Sequence, residues 1–384
     1  MSKGTVLYIG GFELPDRNAA AHRVINNARA FKELGYNVIF AGVDKEISAN
    51  IQEPHSIFGF ESFPLMYPST TKQWAKQMVD ISHYEKVLER YDDVKYIICY
   101  NLHAVPLFKV LKLARKKGIK VLADCTEWYD NKPSLNPVAF IKYIDTQCCM
   151  RWLQKKCYGM IAISTYLEGY YKPYIKNMVV VPPLVDVTEE KWHQVSRYSE
   201  AELTFVYSGQ PGDTKDKIGE IISAFLSVEN THSFCFRVVG LTEEEFFATY
   251  PHLIKKKKEI NKFAQFCGRV SHSTSIQELK SADYCIFIRD RSRKNMAGFP
   301  TKFVECYTSG VNIIANNVSD IKSYFPQDKY SIMIAQSSGD DVAYAIKEAL
   351  SKGKPDKQER NENPFDYHKW VDVFNQIIKE STEG

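Results

Sequence analysis

No run of about 18 apolar residues occurs in this sequence, so nothing in it reads as a membrane-spanning helix. No CxxC pair and no dense arginine arm is present. The nine cysteines (Cys99, Cys125, Cys148, Cys149, Cys157, Cys235, Cys267, Cys285 and Cys306) are odd in number and mostly sit in apolar strand-like or helical runs. That pattern reads as buried free thiols in a reducing compartment, not disulfides or zinc. The net charge of +4, from 50 basic and 46 acidic residues, is too small to argue for nucleic acid. The opening apolar run, Thr5 to Ile9, is too short for a signal peptide, so a cytoplasmic chain is expected. Also lacking are the third glycine and acidic partner of a dinucleotide site, the Gly-Lys-Ser/Thr of a phosphate loop, and an Asp-x-Asp pair.

What is present is an alternation. Short apolar runs (Val6–Ile9, Asn37–Ala41, Tyr96–Tyr100, Lys120–Asp124, Gly159–Ser164, Met178–Val181) are separated by amphipathic stretches such as Ala20–Leu34 and Pro106–Lys117. This predicts a parallel sheet covered on both faces. The pattern restarts at Leu203–Gly209 and runs through Ile218–Leu226, Phe234–Gly240, Phe263–Gly268, Tyr284–Ile288 and Val311–Ala315. A chain of 384 residues also exceeds one ordinary core. The expected fold is α/β: a doubly wound domain over 1–186, a linker over 187–202 and a second such domain over 203–365. A helix over 366–380 is expected to pack back on the first domain. Ligands of such sheets gather where the strands' carboxyl ends meet loops and helix N-termini.

Four loops there carry chemistry. Gly10-Gly11 closes the first strand and lets backbone approach a ligand, or forms a plain tight turn. His22, early in the next helix, is either a ligand contact or a helix-face histidine. In Ser208-Gly209-Gln210-Pro211-Gly212-Asp213-Thr214-Lys215-Asp216-Lys217, free amides with Lys215 or Lys217 suit a diphosphate; the plain alternative is a solvated loop. From Asp290 to Cys306 a basic loop leads through Gly298-Phe299-Pro300-Thr301 into a helix bearing Lys302 and Glu305 on one face. Those two side chains either serve an anionic, ribose-bearing ligand or form a surface ion pair. Finally, Asp124 and Glu127, with Trp128 and Tyr129, suit a sugar or acceptor site, or helix capping with aromatic packing.

This ordered set resembles the retaining glycosyltransferase family 4 group, the glycosyl transferases group 1 of the GT-B fold, across nearly the whole chain. Ser208-Gly209 with Lys215, then Phe266-Cys267-Gly268, then Gly298 to Glu305 carry the likeness, supported by Ile163 to Leu167, Val181 to Asp186, Gly10-Gly11 and His22. The resemblance implies two Rossmann-like domains facing each other across a cleft. It implies a nucleotide diphosphate sugar, UDP- or GDP-linked, as co-substrate, with no other cofactor and no metal. It assigns donor contacts to Gly10, Gly11, His22, Ser208, Gly209, Lys215, Gly240, Arg269, Gly298, Phe299, Pro300, Thr301, Lys302 and Glu305. Asp124, Glu127 and Lys215 take catalytic roles. Two positions depart from the family. Ala297 stands where the first glutamate of Glu-x7-Glu is usual, and Gln210 where an arginine often follows the glycine. Arg289, Arg291, Arg293 or Lys294 is offered as the replacement charge.

Transfer to a hydroxyl of a glycan, lipid-linked or small-molecule acceptor follows from that likeness, in polysaccharide biosynthesis. Two readings stay beside it: a sugar-nucleotide 2-epimerase of the same fold, and a degenerate subunit that binds without turnover. The basic and apolar stretch Ile141–Tyr158 and the lysines between Lys109 and Lys117 either rest on the inner face of an anionic membrane or simply cover the sheet.

Overall fold

Continuously apolar strands need cover on both faces, and each half of the chain supplies it with its own helices. The computed structural model describes residues 2–130, 132–193, 202–210, 216–228, 233–355 and 362–378. It divides into two units. The first comprises Met1–Asp186, Ala297–Phe299 and Phe365–Gly384, the second Val187–Met296 and Pro300–Pro364. Ala297–Phe299 and Phe365 thus group with the first unit, not with the 203–365 domain to which the sequence pattern assigns them. Residues 187–193 of the expected linker group with the second unit; 194–201 lie outside the described residues.

The first unit runs β1 (Thr5–Gly10), α1 (Ala19–Glu33), β2 (Asn37–Ala41), β3 (His55–Ile57), β4 (Phe60–Ser62), β5 (Val94–Tyr100), α2 (Ala104–Lys117), β6 (Lys120–Cys125), α3 (Pro137–Cys148), β7 (Gly159–Ala162), α4 (Thr165–Tyr171) and β8 (Asn177–Val180). Its sheet has the order β8-β7-β6-β5-β1-β2-β4-β3, parallel except for the β3–β4 hairpin. All six residues of β1 are buried, as a central strand covered on both sides requires. Helix α1 starts where the Asn18 side chain accepts the Ala21 amide at 2.9 Å. The C-terminal helix Val371–Ile378 completes this core: Phe374 lies 5.1 Å from the Phe31 ring, and the Tyr96 hydroxyl donates to the Ile378 carbonyl at 3.0 Å.

The second unit runs β9 (Leu203–Ser208), α5 (Ile218–Val228), β10 (Phe234–Val239), α6 (Glu243–Thr249), β11 (Ala264–Gly268), α7 (His272–Ser281), β12 (Tyr284–Phe287), α8 (Thr301–Thr308), β13 (Asn312–Asn316), β14 (Ile332–Ile334) and α9 (Gly339–Lys352). Its sheet is wholly parallel, in the order β11-β10-β9-β12-β13-β14. Phe205, Phe225 and Phe236 build its aromatic core, with Phe225 and Phe236 stacked at 4.7 Å. The reading of all cysteines as free thiols is corrected at one pair. Helix α8 returns beside β12, so Cys306 meets Cys285 and the two are joined as a disulfide. The other seven cysteines are free.

Each sheet has a point where the chain reverses its direction of travel. In the first it lies between β1 and β5, in the second between β9 and β12. Among the described residues, no helix is long and apolar enough to cross a membrane.

Candidate active site

At the reversal point of the second sheet, backbone takes the place of side chains. Strand β9 is followed by Gly209 at φ +119°, and β10 by Gly240 at φ +102°, conformations that residues with a Cβ rarely adopt. The neighbours also leave no space. A Cβ on Gly209 would lie 2.4 Å from Cε of Lys302, and one on Gly240 would lie 2.7 Å from the Gly209 carbonyl carbon. The Gly209 amide donates to the Val239 carbonyl at 2.9 Å, and the Gly240 amide to the Gly268 carbonyl at 2.7 Å, which stitches three strand ends together. Ser208 turns inward and shares a hydrogen bond with Ser275 of α7 at 2.5 Å.

Beneath Gly209 lies a buried charge cluster. The Asp216 carboxylate accepts from the Tyr207 hydroxyl at 2.7 Å, from Arg289 Nε at 2.5 Å and from Lys302 Nζ. Burial alone would raise the Asp216 pKa, but the Lys302 and Arg289 charges with their hydrogen bonds outweigh it and hold the carboxyl down at about 2. For Lys302 burial prevails over the pull of Asp216, with Arg289 adding to it, and lowers the ammonium to about 8. Two cations around one carboxylate leave one positive charge uncompensated, directly under bare backbone. The alternative of a surface Lys302–Glu305 ion pair is therefore replaced. Lys302 is buried on Asp216, and Glu305 pairs with His272 Nε2 at 3.2 Å.

Pro300 is the N-cap residue of helix α8, and it makes no side-chain cap to the first amides. Thr301 opens that helix, so its amide, like that of Lys302, belongs to the uncapped first turn. Arg269 has a largely exposed side chain, 4.0 Å from Glu245. Of the alternatives for replacement charge, Arg289 is the one in the cluster. Lys217 pairs with Asp290 at 2.9 Å. Lys215, with residues 211–214, lies outside the described residues.

In the first unit, Gly10 and Gly11 line a cavity of about 500 Å³ together with Trp74, His103, Tyr129 and Asp145. His103 Nδ1 lies 2.8 Å from Asp145 Oδ2, and the Ala104 amide donates to Asp145 Oδ1 at 2.7 Å. Asp124, expected from the sequence to be catalytic, sits in an ion pair. Its carboxylate is fully buried, 2.7 Å from Arg23 Nη2, and also accepts from Arg23 Nε, the Tyr8 hydroxyl and Asn27. Arg23 Nη1 in turn donates to the Val181 carbonyl at 2.9 Å, tying α1, β6 and the stretch after β8 together. A buried guanidinium needs such a carboxylate, so Asp124 positions these elements. Glu127 is half-buried and accepts a hydrogen bond from Tyr129 of the cavity wall. His22 is half-buried on α1 and lies outside the cavity lining. Gly298 and Phe299 belong to this unit, where Phe299 is buried 6.0 Å from the Phe365 ring. The Ala297 carbonyl accepts from Ser164 Oγ at 2.6 Å.

Residues 188–364 match the family described as Glycosyl transferases group 1. That span takes in nearly all of the second unit. Solved structures resemble the whole chain at low identity. Sucrose-phosphate synthase from Thermosynechococcus elongatus is 12% identical at a TM-score of 0.67, with 98% of each chain covered. A glycosyltransferase from Rickettsia africae is 14% identical at 0.66, covering 99% of this chain and 100% of that one. The Anabaena protein HepE in complex with UDP is 10% identical at 0.65, covering 97% and 98%. At such identities the likeness establishes the fold, which is GT-B with two Rossmann-like units. No curated protein matches the sequence significantly.

Within the second unit, the structure brings together Ser208, Gly209, Gly240 and Lys302 from the sequence-derived set. Sequence reasoning missed three side chains. Tyr207 is hidden inside a strand. Asp216 is flanked by two lysines and reads as part of a solvated loop. His272 follows the N-cap Ser271 of α7, and that cap was the one available signal that a helix starts beside Glu305.

Proposed function

We propose that the chain transfers a glycosyl group from a UDP- or GDP-sugar to a hydroxyl, with retention of anomeric configuration and without metal. The observation that carries this reading is the bare Gly209–Gly240 backbone lying over two cations, buried Lys302 and partly buried Arg289, that share one carboxylate. A diphosphate is a leaving group with growing negative charge, and fixed amides with buried cations stabilise that charge without reorganising. Lys302 and Arg289 supply the positive charge that a divalent ion supplies elsewhere, which supports metal independence. Glu305, oriented by His272, is placed to accept from ribose hydroxyls. The uncapped amides of α8 favour the same anion. HepE was solved with UDP, and a starch synthase catalytic domain from Arabidopsis thaliana with ADP and acarbose; these precedents support a nucleotide diphosphate at this fold. In the first unit, the cavity beside Gly10, Gly11 and Tyr129 suits the acceptor, with Glu127 held by Tyr129 at its edge. The acceptor is a glycan, lipid-linked or small-molecule hydroxyl, and the chain acts in the cytoplasm in polysaccharide biosynthesis.

A second reading, donor binding without turnover, has one observation in its favour. Position 297, where a carboxylate is usual, is a fully buried alanine with its carbonyl held by Ser164. Incubation with UDP- and GDP-sugars plus candidate acceptors, followed by nucleotide release and NMR of the product anomer, separates the two. Nucleotide release with an α-linked product from an α-linked donor supports retaining transfer. Saturable donor binding with no release supports the binding subunit.

A further inference from the structure

Helix α3 buries none of its residues, yet it is rich in large apolar side chains. Val138, Phe140, Ile141 and Ile144 are all exposed, as are Leu135 just before the helix and Trp152 just after it. One face of the helix is accounted for: Lys142, Asp145 and Thr146, spaced three and four residues apart, line the cavity. At 3.6 residues per turn, Phe140 and Ile144 project from the opposite face. The neighbouring helix α2 joins α3 through the bonds of His103 and Ala104 to Asp145. Its exposed residues Val105, Phe108, Lys109, Lys112 and Lys116 recur every three or four positions and form one stripe.

Charge on this surface has one sign. The segments 104–117 and 137–158 hold nine lysines and arginines against a single acidic residue, Asp145, which is engaged by His103. A protein-binding patch of this apolarity would be depleted of lysine at its centre. A nucleic-acid surface would not need exposed Phe140, Ile141, Ile144 and Trp152 together. Lysines interleaved with tryptophan, phenylalanine and isoleucine are the composition of a helix lying in a membrane interface.

We propose that the first unit docks on an anionic lipid bilayer through the outer faces of α2 and α3. Apolar side chains enter the headgroup boundary and the flanking lysines meet lipid charge. This names a partner for the acceptor cavity, which α3 lines with its other face, and so it rests on the transferase reading for its purpose; the docking itself needs no turnover. The test is flotation of the full-length chain with phosphatidylcholine vesicles, alone or mixed with phosphatidylglycerol. The expected result is binding to the mixed vesicles that weakens with added salt, and none to phosphatidylcholine alone. The double variants Phe140→Ser with Ile144→Ser and Lys112→Glu with Lys116→Glu should each bind about thirtyfold more weakly or worse. Unchanged melting temperatures show that both are folded. Their donor-induced thermal shifts, read separately, report on the transferase reading alone. Absence of binding to anionic vesicles, or folded variants that bind as the parent does, overturns the proposal. Retention on an immobilised polyanion without vesicle binding also overturns it and assigns the surface to a nucleic acid or acidic protein.

Discussion

At the scale of single residues, two buried carboxylates govern the account. Asp216 has a pKa of about 2 in the fold against 3.8 as the ordinary value. The unfolded chain therefore takes up this proton first as pH falls. The stabilisation is complete above 3.8 and disappears toward 2, about 2 kcal/mol in all. Asp216→Asn should abolish that acid-dependent increment and leave buried Lys302 and partly buried Arg289 without their shared carboxylate. A loss of about 3–5 kcal/mol is expected in denaturant titrations at neutral pH. A variant as stable as the parent would remove the cluster from the account. Asp124→Asn should destabilise by a similar about 3–5 kcal/mol through Arg23, in the same titrations. The types of Lys302 and Glu305 and their shared helix were legible from spacing. Their partners were not, because Asp216 lies 86 residues from Lys302 and His272 lies 33 from Glu305, and local spacing carries no information over such separations. Arg23 was visible beside His22, but its burial depends on contacts with β6 and the chain after β8 that no helix pattern announces.

At the scale of elements, the apolar runs located most central strands within a residue or two, since a strand covered on both faces has no alternation to confuse. The helices α1 and α5 were equally readable from their apolar faces. The hairpin β3–β4 and the helices Thr71–Gln77 and Ser82–Leu88 were not read, because elements of three to seven residues are too short to show a sustained period. Helix α3 was seen only as a basic and apolar stretch, since a helix with no buried residue has no inward face to find. The glycine turns were legible as turns, but the close approach of Lys302 to Gly209 was not. Gly209→Ala imposes both an unfavourable φ and a clash. It should destabilise the chain by about 1–3 kcal/mol and reduce donor affinity at the same time. Thermal melts with and without UDP-sugar check both, and an unperturbed variant would show that the turn is not fixed by its neighbours.

At the scale of the whole molecule, the restart of the alternation after residue 200 announced two large sheets, and the described residues form one of eight strands and one of six, beside a two-stranded ribbon of Val43–Asp44 and Leu65–Met66 that no pattern announced. The assignment of Ala297–Phe299 and Phe365 to the first unit was beyond sequence, because a chain can leave a domain and return without any compositional mark. The central claim is a donor grip built from backbone, the cations Lys302 and Arg289, and Glu305. Calorimetric titration of UDP- and GDP-sugars into the full chain and into Glu305→Ala tests it most directly. Saturable binding to the parent is predicted, weakened by about 1–3 kcal/mol in the variant at unchanged melting temperature. No binding heat with any nucleotide sugar, or equal affinity in parent and variant, would contradict it.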